Sequence, residues 1–236
     1  EQVAFQFSHH LIHANGRVEH ADEYISNTPG EFPNFHFVRA LKDALEHDNG
    51  TIFRFATHEN TILNAIIDQL KVSTEPDKVV LIDFMKSITV SKADSVDKWS
   101  GDRKMVDLKD VVFEYYYNPY TKGSNSIKAV LPAVLKSSAF LQAKYGQSIG
   151  QVGVSSSNFS TEHIWLKVDN GQVVNPYKML PPLFEGWTEM ELEENVSEID
   201  GIADGGMALT AYAKLQYQDM TDKERGEITG GLLKYC

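Results

Sequence analysis

Three carboxylates lie where secondary-structure elements are predicted to begin or end, and together they could support metal-assisted chemistry. Glu59 follows one apolar run, Asp107 ends another, and Asp204 precedes a helical pattern. Acidic groups that converge at one end of a sheet are the hard oxygen ligands that a two-magnesium phosphodiesterase site needs. One hypothesis for these residues is therefore a phosphodiesterase that uses Mg²⁺ (or Mn²⁺).

Glu59 lies at a predicted junction between a strand and a helix. Residues 51–56 predict a buried strand, because Phe53 and Phe55 stand among small and β-branched residues. Apolar residues then recur at helical spacing from Ile62 to Leu70. Such junctions hold active-site groups in many α/β folds. The alternative, which the local pattern favours, is that Glu59 only complements the helix dipole.

Several other kinds of catalytic site have no signature in this sequence. It contains no glycine-rich phosphate loop, no G-x-S-x-G motif and no pair of Cys-x-x-Cys motifs. The single cysteine, Cys236, is the last residue, so we expect neither an internal disulfide nor a cysteine nucleophile. Carboxylate chemistry is the class that remains.

Composition predicts one large domain, or one domain with an insertion, in a chain of 236 residues that is 42% hydrophobic. The net charge of −11 argues against a protein that coats nucleic acid through its overall field. It does not exclude a nuclease, because bound cations reverse the sign of the charge at an acidic site. Without a visible signal peptide or membrane span, and with one cysteine, a cytoplasmic setting is expected. The sequence begins at Glu1 without an initiator Met, so we expect a segment of a longer protein.

The first residues of the chain predict a hairpin with histidines on one face. Asn15-Gly16 predicts a two-residue turn, which would pair Leu11 with His20 and His9 with Asp22. His9, His13, His20 and Asp22 would then share a face, and His and Asp are zinc ligands. The compact ligand spacing of structural zinc sites is missing, so a hydrogen-bonded histidine face is the favoured interpretation.

Capping signals predict most of the helices. Asn34 is a predicted N-cap, Ser126 caps a helix that Pro132 should either kink or divide into two successive turns, and Thr221 with Glu224 forms a capping box. Residues 105–108 predict a short buried strand with an acidic group at its end. Residues 139–145 predict another helix. Residues 147–195 are rich in Ser, Gly, Asn and Pro and contain a second predicted hairpin, so they are interpreted as an insertion.

The sequence resembles a bacterial domain family of unknown function that is found C-terminal to RecB-like nuclease domains. That family is similar to ribonuclease H-like, DEDD-type 3′–5′ exonucleases. The Gly-Ser-x-Ser-Ile-Lys-x-Val-Leu-Pro run at 123–132 is the most specific match. The matching stretches are distributed along the chain outside 147–195, and they are 3–8, 56–59, 105–108, 117–119, 123–132, 202–206 and 233–236.

The resemblance implies roles for Glu59 and Tyr235. Glu59 would be the metal ligand of the second motif, and Tyr235 would be the third-motif tyrosine that orients the attacking water. The first motif would lie before Glu1 and the last Asp after Cys236, so at most one of four metal ligands is expected in this chain. Since one carboxylate cannot hold two magnesium ions, we expect residues 1–236 alone to be inactive.

Residues that could approach nucleic acid follow the strand predicted at residues 105–108. Lys122, Asn125 and Lys128 could contact the backbone of a nucleic acid, while their alternative is a turn and helix cap with solvent-exposed lysines. The three consecutive tyrosines at 115–117 could stack on bases, although a core role is expected for at least one of them.

The predicted fold is α/β, with a ribonuclease H-like mixed sheet and helices on both faces. The ribonuclease H-like domain would comprise residues 1–146 and 196–236, and the hairpin of residues 2–24 would share one sheet with strands 51–56 and 105–108. Without the family's first strand, a sheet edge would be exposed, which favours a homodimer by strand pairing.

The expected function is that of a domain of a metal-dependent 3′–5′ exonuclease-like phosphodiesterase acting on nucleic acid. The alternative is a non-catalytic module that positions nucleic acid or a partner for an attached RecB-like nuclease domain.

Overall fold

The computed structural model describes the backbone of residues 2–179 and 203–235 and the side chains of residues 2–179 and 208–234. It is a mixed α/β structure of helices with one longer hairpin and several two-residue strands. The first half contains β1 (Gln6–Ile12), β2 (Val18–Ile25), α1 (Asn34–Leu45), β3 (Phe53–Arg54), α2 (His58–Val72), α3 (Lys78–Ile88), β4 (Val106–Asp107) and α4 (Leu108–Tyr115). The remainder contains α5 (Ile127–Ser137), α6 (Ala139–Tyr145), β5 (Val154–Ser155), β6 (Val168–Asp169), β7 (Gln172–Val173), α7 (Ala203–Tyr217) and α8 (Asp222–Tyr235). Short 3-10 turns occur at Pro119–Thr121 and Pro176–Met179.

The first hairpin has a three-residue loop rather than the predicted two-residue turn. The His13 amide donates to the Arg17 carbonyl at 2.9 Å, and Gly16 adopts a left-handed φ of 80°. The extra loop residue shifts the pairing by one, so His10 faces His20 and the predicted Leu11–His20 pair is wrong. An irregularity between His9 and His10 restores the register, so the predicted pairing of His9 with Asp22 is confirmed.

The strands form separate sheets, so the predicted single sheet is wrong for the described residues. β5 pairs parallel to β2, giving the order β1-β2-β5, while β3 and β4 form a parallel pair of their own. β1 and β3 are therefore edge strands in the part of the chain that the structure describes. Strand exchange between copies, which the sequence predicted from an exposed edge, stays a prediction that light scattering can check.

The strand predicted at 51–56 is shorter and less buried than its composition indicates. Only Phe53–Arg54 is extended in a ladder, and the Phe53 side chain is 55% exposed. The partner strand Val106–Asp107 is also two residues long. Apolar composition predicts burial only where another element covers the side chain, and nothing among the described residues covers Phe53 sufficiently to bury it.

The main core lies between α1, α2 and α3. The hairpin side chains Phe7 and Tyr24 pack on it from one side, and Ile52 and Met105 pack on it next to the β3–β4 pair. Burial of apolar area on this scale is the main favourable term in folding. The core residues are Phe37, Val38, Leu45, Leu63, Ile66, Ile67, Leu70, Leu81, Met85 and Ile88.

Asn34 is a buried residue whose side chain hydrogen-bonds to two other segments, rather than the predicted N-cap. Pro33 occupies the cap position of α1, and Asn34 is the first helical residue with 0% exposure. Its Oδ1 accepts from the Ala4 amide at 2.7 Å, and its Nδ2 donates to the Gln2 carbonyl at 2.9 Å and to Gln69 Oε1 at 2.7 Å. Asn34 thus joins the N-terminal segment to α1 and α2.

A second apolar cluster joins α7 and α8 to the hairpin. Leu215 and Leu232 are fully buried in it, and the rings of Phe5 and Tyr212 stack with centroids 4.1 Å apart. The predicted capping box at the start of α8 is confirmed, because the Thr221 amide donates to Glu224 Oε2 at 2.8 Å. The return bond runs from the Glu224 amide to Thr221 Oγ1 at 3.3 Å.

The helix with Pro132 runs unbroken from Ile127 to Ser137, with Ser126 as its N-cap. The predicted second hairpin is reduced to two residues in each strand, Val168–Asp169 and Gln172–Val173. Its segment contacts the first hairpin through β5 and through Asn158, whose Nδ2 donates to Glu23 Oε2 at 3.0 Å. No helix in the described ranges has the length and apolar character needed to cross a membrane.

Candidate functional site

The candidate site lies at the edge where β3 and β4 end side by side. Arg54 stands opposite Asp107 in the parallel register, and both strands then turn into helices, α2 from His58 and α4 from Leu108. The predicted junctions are confirmed: Glu59 lies in the first turn of α2, and Asp107 is the N-cap of α4. The carboxyl ends of parallel strands are where open α/β sheets bind their ligands.

Both side-chain oxygens of Asp107 contact other groups of the protein. Its side chain is 5% exposed, and Oδ2 lies 3.3 Å from Arg54 Nη2. Oδ1 accepts from the amide of Ala56 at 2.8 Å and from the amide of Lys109 at 3.0 Å. A carboxylate in this position caps the helix and neutralises a buried cation. These contacts account for Asp107 without a catalytic role, and the predicted role in catalysis stays a prediction.

Arg54 and Ala56 complete the junction, and sequence reasoning missed both. Arg54 Nη1 donates to the Ala56 carbonyl at 2.6 Å, and its buried Nε has no acceptor among the described residues. Ala56 has a left-handed φ of 79°, which is strained for a residue with a Cβ. Its amide and carbonyl are held by Asp107 and Arg54 respectively. The available signal was an arginine between two phenylalanines in an apolar run.

A second set of contacts fixes the first turns of α2. Asn60 Oδ1 accepts from the Val90 amide at 2.9 Å, and Asn60 Nδ2 donates back to the Val90 carbonyl at 3.0 Å. Asn64, one turn later, donates to the same carbonyl at 3.0 Å. The backbone next to Glu59 is therefore held by the segment that follows α3. The sequence signal was an asparagine pair at i and i+4 on a helix.

Glu59 itself is exposed and carries a carboxylate without a hydrogen-bonding or ion-pairing partner in the described part of the chain. Thr57, the N-cap of α2, makes no side-chain capping bond, so Glu59 is not part of a capping box. The site thus combines a fixed backbone with an unpaired acid. Such an acid can bind a cation, and it also complements the helix dipole, so the two interpretations of Glu59 both remain.

The predicted nucleic-acid contacts lie on a turn and a helix start. Lys122 is exposed and closes the turn Pro119–Thr121 in a left-handed conformation with φ of 52°. Asn125 and Lys128 are half-buried, and the Lys128 amide donates to Ser126 Oγ at 3.4 Å. The predicted turn and cap are confirmed, whereas contact with nucleic acid stays a prediction.

Tyr235 is the last residue whose backbone is described, at the end of α8. The last turns of α8 lie against β1, since Gln6 Nε2 donates to the Leu232 carbonyl at 2.6 Å. Asn158 Nδ2 donates to the Leu233 carbonyl at 2.9 Å. The side chains of Tyr235 and of Asp204 lie outside the described residues, so their predicted roles stay predictions.

His13 and His20 are hydrogen-bonded, as the favoured interpretation had it, but His20 pairs and stacks with His10, and the buried Nδ1 of His9 has no hydrogen-bond partner among the described residues. His20 Nδ1 accepts from the Ser157 amide at 3.2 Å, so its proton lies on Nε2, next to Ser8 Oγ and Glu23 Oε2. His13 Nε2 bonds Glu19 at 2.9 Å. Among the residues with described positions, no group of three His, Cys, Asp or Glu side chains could hold a metal ion. The zinc alternative is therefore wrong for the described part of the chain.

Comparison with known families finds a match for the first half of the chain. The family described as "Domain of unknown function (DUF2779)" matches residues 1–126, which include β1 to α4 and both carboxylates of the candidate site. Neither the curated proteins nor the solved structures contain a significant match to the chain. The matched residues make up more than half of the chain, and the chain therefore belongs to the DUF2779 family.

Proposed function

We propose that the chain is part of a metal-dependent phosphodiesterase that acts on nucleic acid as a 3′–5′ exonuclease of the ribonuclease H-like class. Glu59 is one ligand of a Mg²⁺ (or Mn²⁺) ion in this proposal. The observation that supports it is the unpaired, exposed carboxylate of Glu59 at the end of a parallel strand pair, on a backbone fixed from both sides.

The described residues supply only part of the ligand set that this chemistry needs. Asp107 is paired with Arg54, and no group of three acidic, histidine or cysteine side chains lies together in the described ranges. Two magnesium ions need several carboxylate oxygens. The remaining ligands would thus come from acids beyond the described residues, with Tyr235 as the candidate for orienting water. An attached RecB-like nuclease domain and a cytoplasmic setting belong to the same proposal.

A nuclease assay on the natural protein that contains residues 1–236 tests the proposal. With Mg²⁺ and a 5′-labelled single strand, we expect shortening from the 3′ end, and Glu59→Gln should slow it by about 100-fold or more, beyond the 10- to 100-fold typical of residues around a metal's ligands. Asp43→Asn, an exposed carboxylate on α1, is the matched control and should retain activity. Unchanged cleavage by Glu59→Gln would overturn the proposal.

Residues 1–236 on their own are expected to be inactive in the same assay. Magnesium-dependent cleavage by this chain, abolished by Glu59→Gln, would show that the ligand set is complete within it and would contradict this part of the proposal.

A second candidate function is a non-catalytic module that positions nucleic acid or a partner for a RecB-like nuclease. The ion pair between Asp107 and Arg54 favours this second candidate, because a carboxylate paired with an arginine is not free to bind a metal ion. Activity of the natural protein that does not depend on Glu59 would support this candidate.

A further inference from the structure

One segment of this acidic chain contains no acid. Between Tyr115 and Thr161 the sequence has no Asp or Glu, although the whole chain has 33. Lysine occurs there at positions 122, 128, 136 and 144. The segment forms the turn Pro119–Thr121 and helices α5 and α6, which pack on one another. The charge of this substructure is therefore opposite to that of the chain as a whole, which suits an anionic partner.

Several aromatic rings are exposed in the same segment. Tyr117 is 90% exposed, Phe140 is 73% exposed and Tyr120 is 53% exposed. Large rings left in water forgo the free energy that burial would give them. Exposed rings interleaved with lysines are the combination with which proteins bind single-stranded nucleic acid, because every base has a face on which a ring can stack.

The turn that carries Tyr117 and Tyr120 is held to the end of α5. Asn118, which is 9% exposed, donates through Nδ2 to Tyr116 Oη and to Ser137 Oγ, both at 2.9 Å. Its Oδ1 accepts from the Tyr120 amide at 3.0 Å. The rings on either side of Asn118 therefore stand on a fixed turn, which lowers the entropic cost of binding.

A lysine lies directly beside one of these rings. Lys136 Nζ lies 4.1 Å from the centroid of the Tyr120 ring, a cation–π contact. Gln142 Nε2 donates to the Lys136 carbonyl at 3.1 Å, so the first turn of α6, which carries Phe140, adjoins the same end of α5. Lys122 is exposed at the end of the turn.

We propose that this basic-aromatic surface, formed by Tyr117, Tyr120, Lys122, Lys136 and Phe140, binds single-stranded nucleic acid. Bases stack on the rings and the lysines contact phosphates. The absence of acids from 115 to 161 and the contact of Lys136 with the Tyr120 ring favour a polyanion with aromatic bases over an apolar protein partner. The choice of nucleic acid also rests on the proposed function, but the surface is separate from Glu59 in sequence and in the elements that carry it.

Fluorescence anisotropy with the full 236-residue chain tests this inference. A labelled single strand of about 20 nucleotides is titrated in EDTA at about 50 mM salt, where phosphate contacts are strongest. Tyr117→Ala and Phe140→Ala should each weaken binding by roughly 5- to 150-fold, the range measured for loss of one stacked base. Tyr217→Ala, a tyrosine that is 87% exposed on α7, is the matched control and should bind as the unaltered chain does.

Two further measurements distinguish stacking of bases from attraction to phosphate charge. An abasic strand of the same length should bind more weakly than the normal strand, because it cannot stack. Lys136→Ala should reduce the slope of log affinity against log salt by about 0.7, the value for one phosphate contact in a single strand. Equal binding of the abasic strand would show a general polyanion site and overturn the proposal.

The result is independent of the nuclease proposal. Binding is measured in EDTA, where metal-dependent cleavage does not take place, so loss of binding in Tyr117→Ala with normal binding in Tyr217→Ala supports the surface even if cleavage by the natural protein fails. Absence of binding by the unaltered chain, or equal binding by Tyr117→Ala, Phe140→Ala and Tyr217→Ala, would overturn it. Circular dichroism of each variant checks that it is folded.

Discussion

The amide of Ala56 donates a hydrogen bond of 2.8 Å to Oδ1 of Asp107, across a sequence separation of 51 residues. This bond joins the ends of β3 and β4 at the point where both strands turn into helices. Arg54 also contacts the Ala56 carbonyl and the other Asp107 oxygen, so Arg54, Ala56 and Asp107 are each bonded to the other two. Glu59 is thereby presented by a rigid element, which a metal ligand requires.

Removing the Asp107 carboxylate should destabilise the fold strongly. Asp107→Ala leaves the buried Arg54 charge without its partner and α4 without its cap, so the free energy of unfolding should fall by about 3–5 kcal/mol. Asp110→Ala, in the first turn of the same helix but exposed, should cost only about 0.3–1 kcal/mol. Urea denaturation measures both values. Equal stability of the two variants would show that Asp107 is not a structural residue.

The stability of the protein should depend on how easily the residue at position 56 adopts a left-handed conformation. Its left-handed φ costs about 1–2 kcal/mol for a residue with a Cβ. Ala56→Gly should relieve that strain, and after the entropy of glycine in the unfolded chain the net gain should be about 0–1 kcal/mol. Ala56→Val should lower stability by about 1–3 kcal/mol, since β-branched residues tolerate this conformation poorly. The same loss from Gly and Val in thermal unfolding would contradict a strained Ala56.

Truncation of the Asn34 side chain should lower the free energy of unfolding. Asn34→Ala removes the acceptor of the half-buried Ala4 amide and one of the two donors to the Gln2 carbonyl, so we expect a loss of about 1–3 kcal/mol. Asn49→Ala, an exposed asparagine after α1, should change stability by less than about 0.5 kcal/mol. Chemical denaturation of both variants makes the comparison. A loss for Asn34→Ala as small as that for Asn49→Ala would mean that the three bonds contribute little.

Stability should also depend on pH near neutrality. Burial lowers the pKa of His9, although the carboxylates of Asp48 and Asp22 oppose the shift. Burial likewise lowers the pKa of His10 and of His163. With a folded pKa below the unfolded value of about 6.5, these groups stabilise the fold above that pH, and the stabilisation is lost as the pH falls towards the folded pKa.

Urea denaturation at about pH 5.5 and about pH 7.5 measures this dependence, and the lower pH should give the smaller free energy of unfolding. His9→Gln should reduce the difference between the two pH values without removing it, because His10 and His163 still titrate. An unchanged difference in His9→Gln would exclude His9 as a contributor.

Local signals predicted much of the helical structure. The helix Ala139–Tyr145, the Ser126 cap and the Thr221–Glu224 capping box all depend on residues within a few positions of each other, and each is present. The same holds for the strand-to-helix junctions at Glu59 and Asp107, because the change from strand to helix spacing is local.

Long-range relationships were the part that the sequence could not predict. The Asn15-Gly16 signal fits both a two-residue turn and a three-residue loop with Gly16 left-handed, so the register near the loop was wrong. Pairing between strands depends on partners far apart in sequence, hence the incorrect single sheet. Asn34 was misassigned because Pro33 takes the cap position, and the pairing of Arg54 with Asp107 has no local signature.

The central claim, that the Glu59 carboxylate is a metal ligand, can be measured directly by Mn²⁺ binding to the natural protein that contains residues 1–236. Electron paramagnetic resonance of free Mn²⁺ gives the dissociation constant for the unaltered protein, Glu59→Gln and the control Asp43→Asn. We expect Glu59→Gln to weaken binding by about tenfold or more, since each ligand oxygen of a hard cation contributes strongly. Mn²⁺ binding that is equal in all three proteins would contradict the claim.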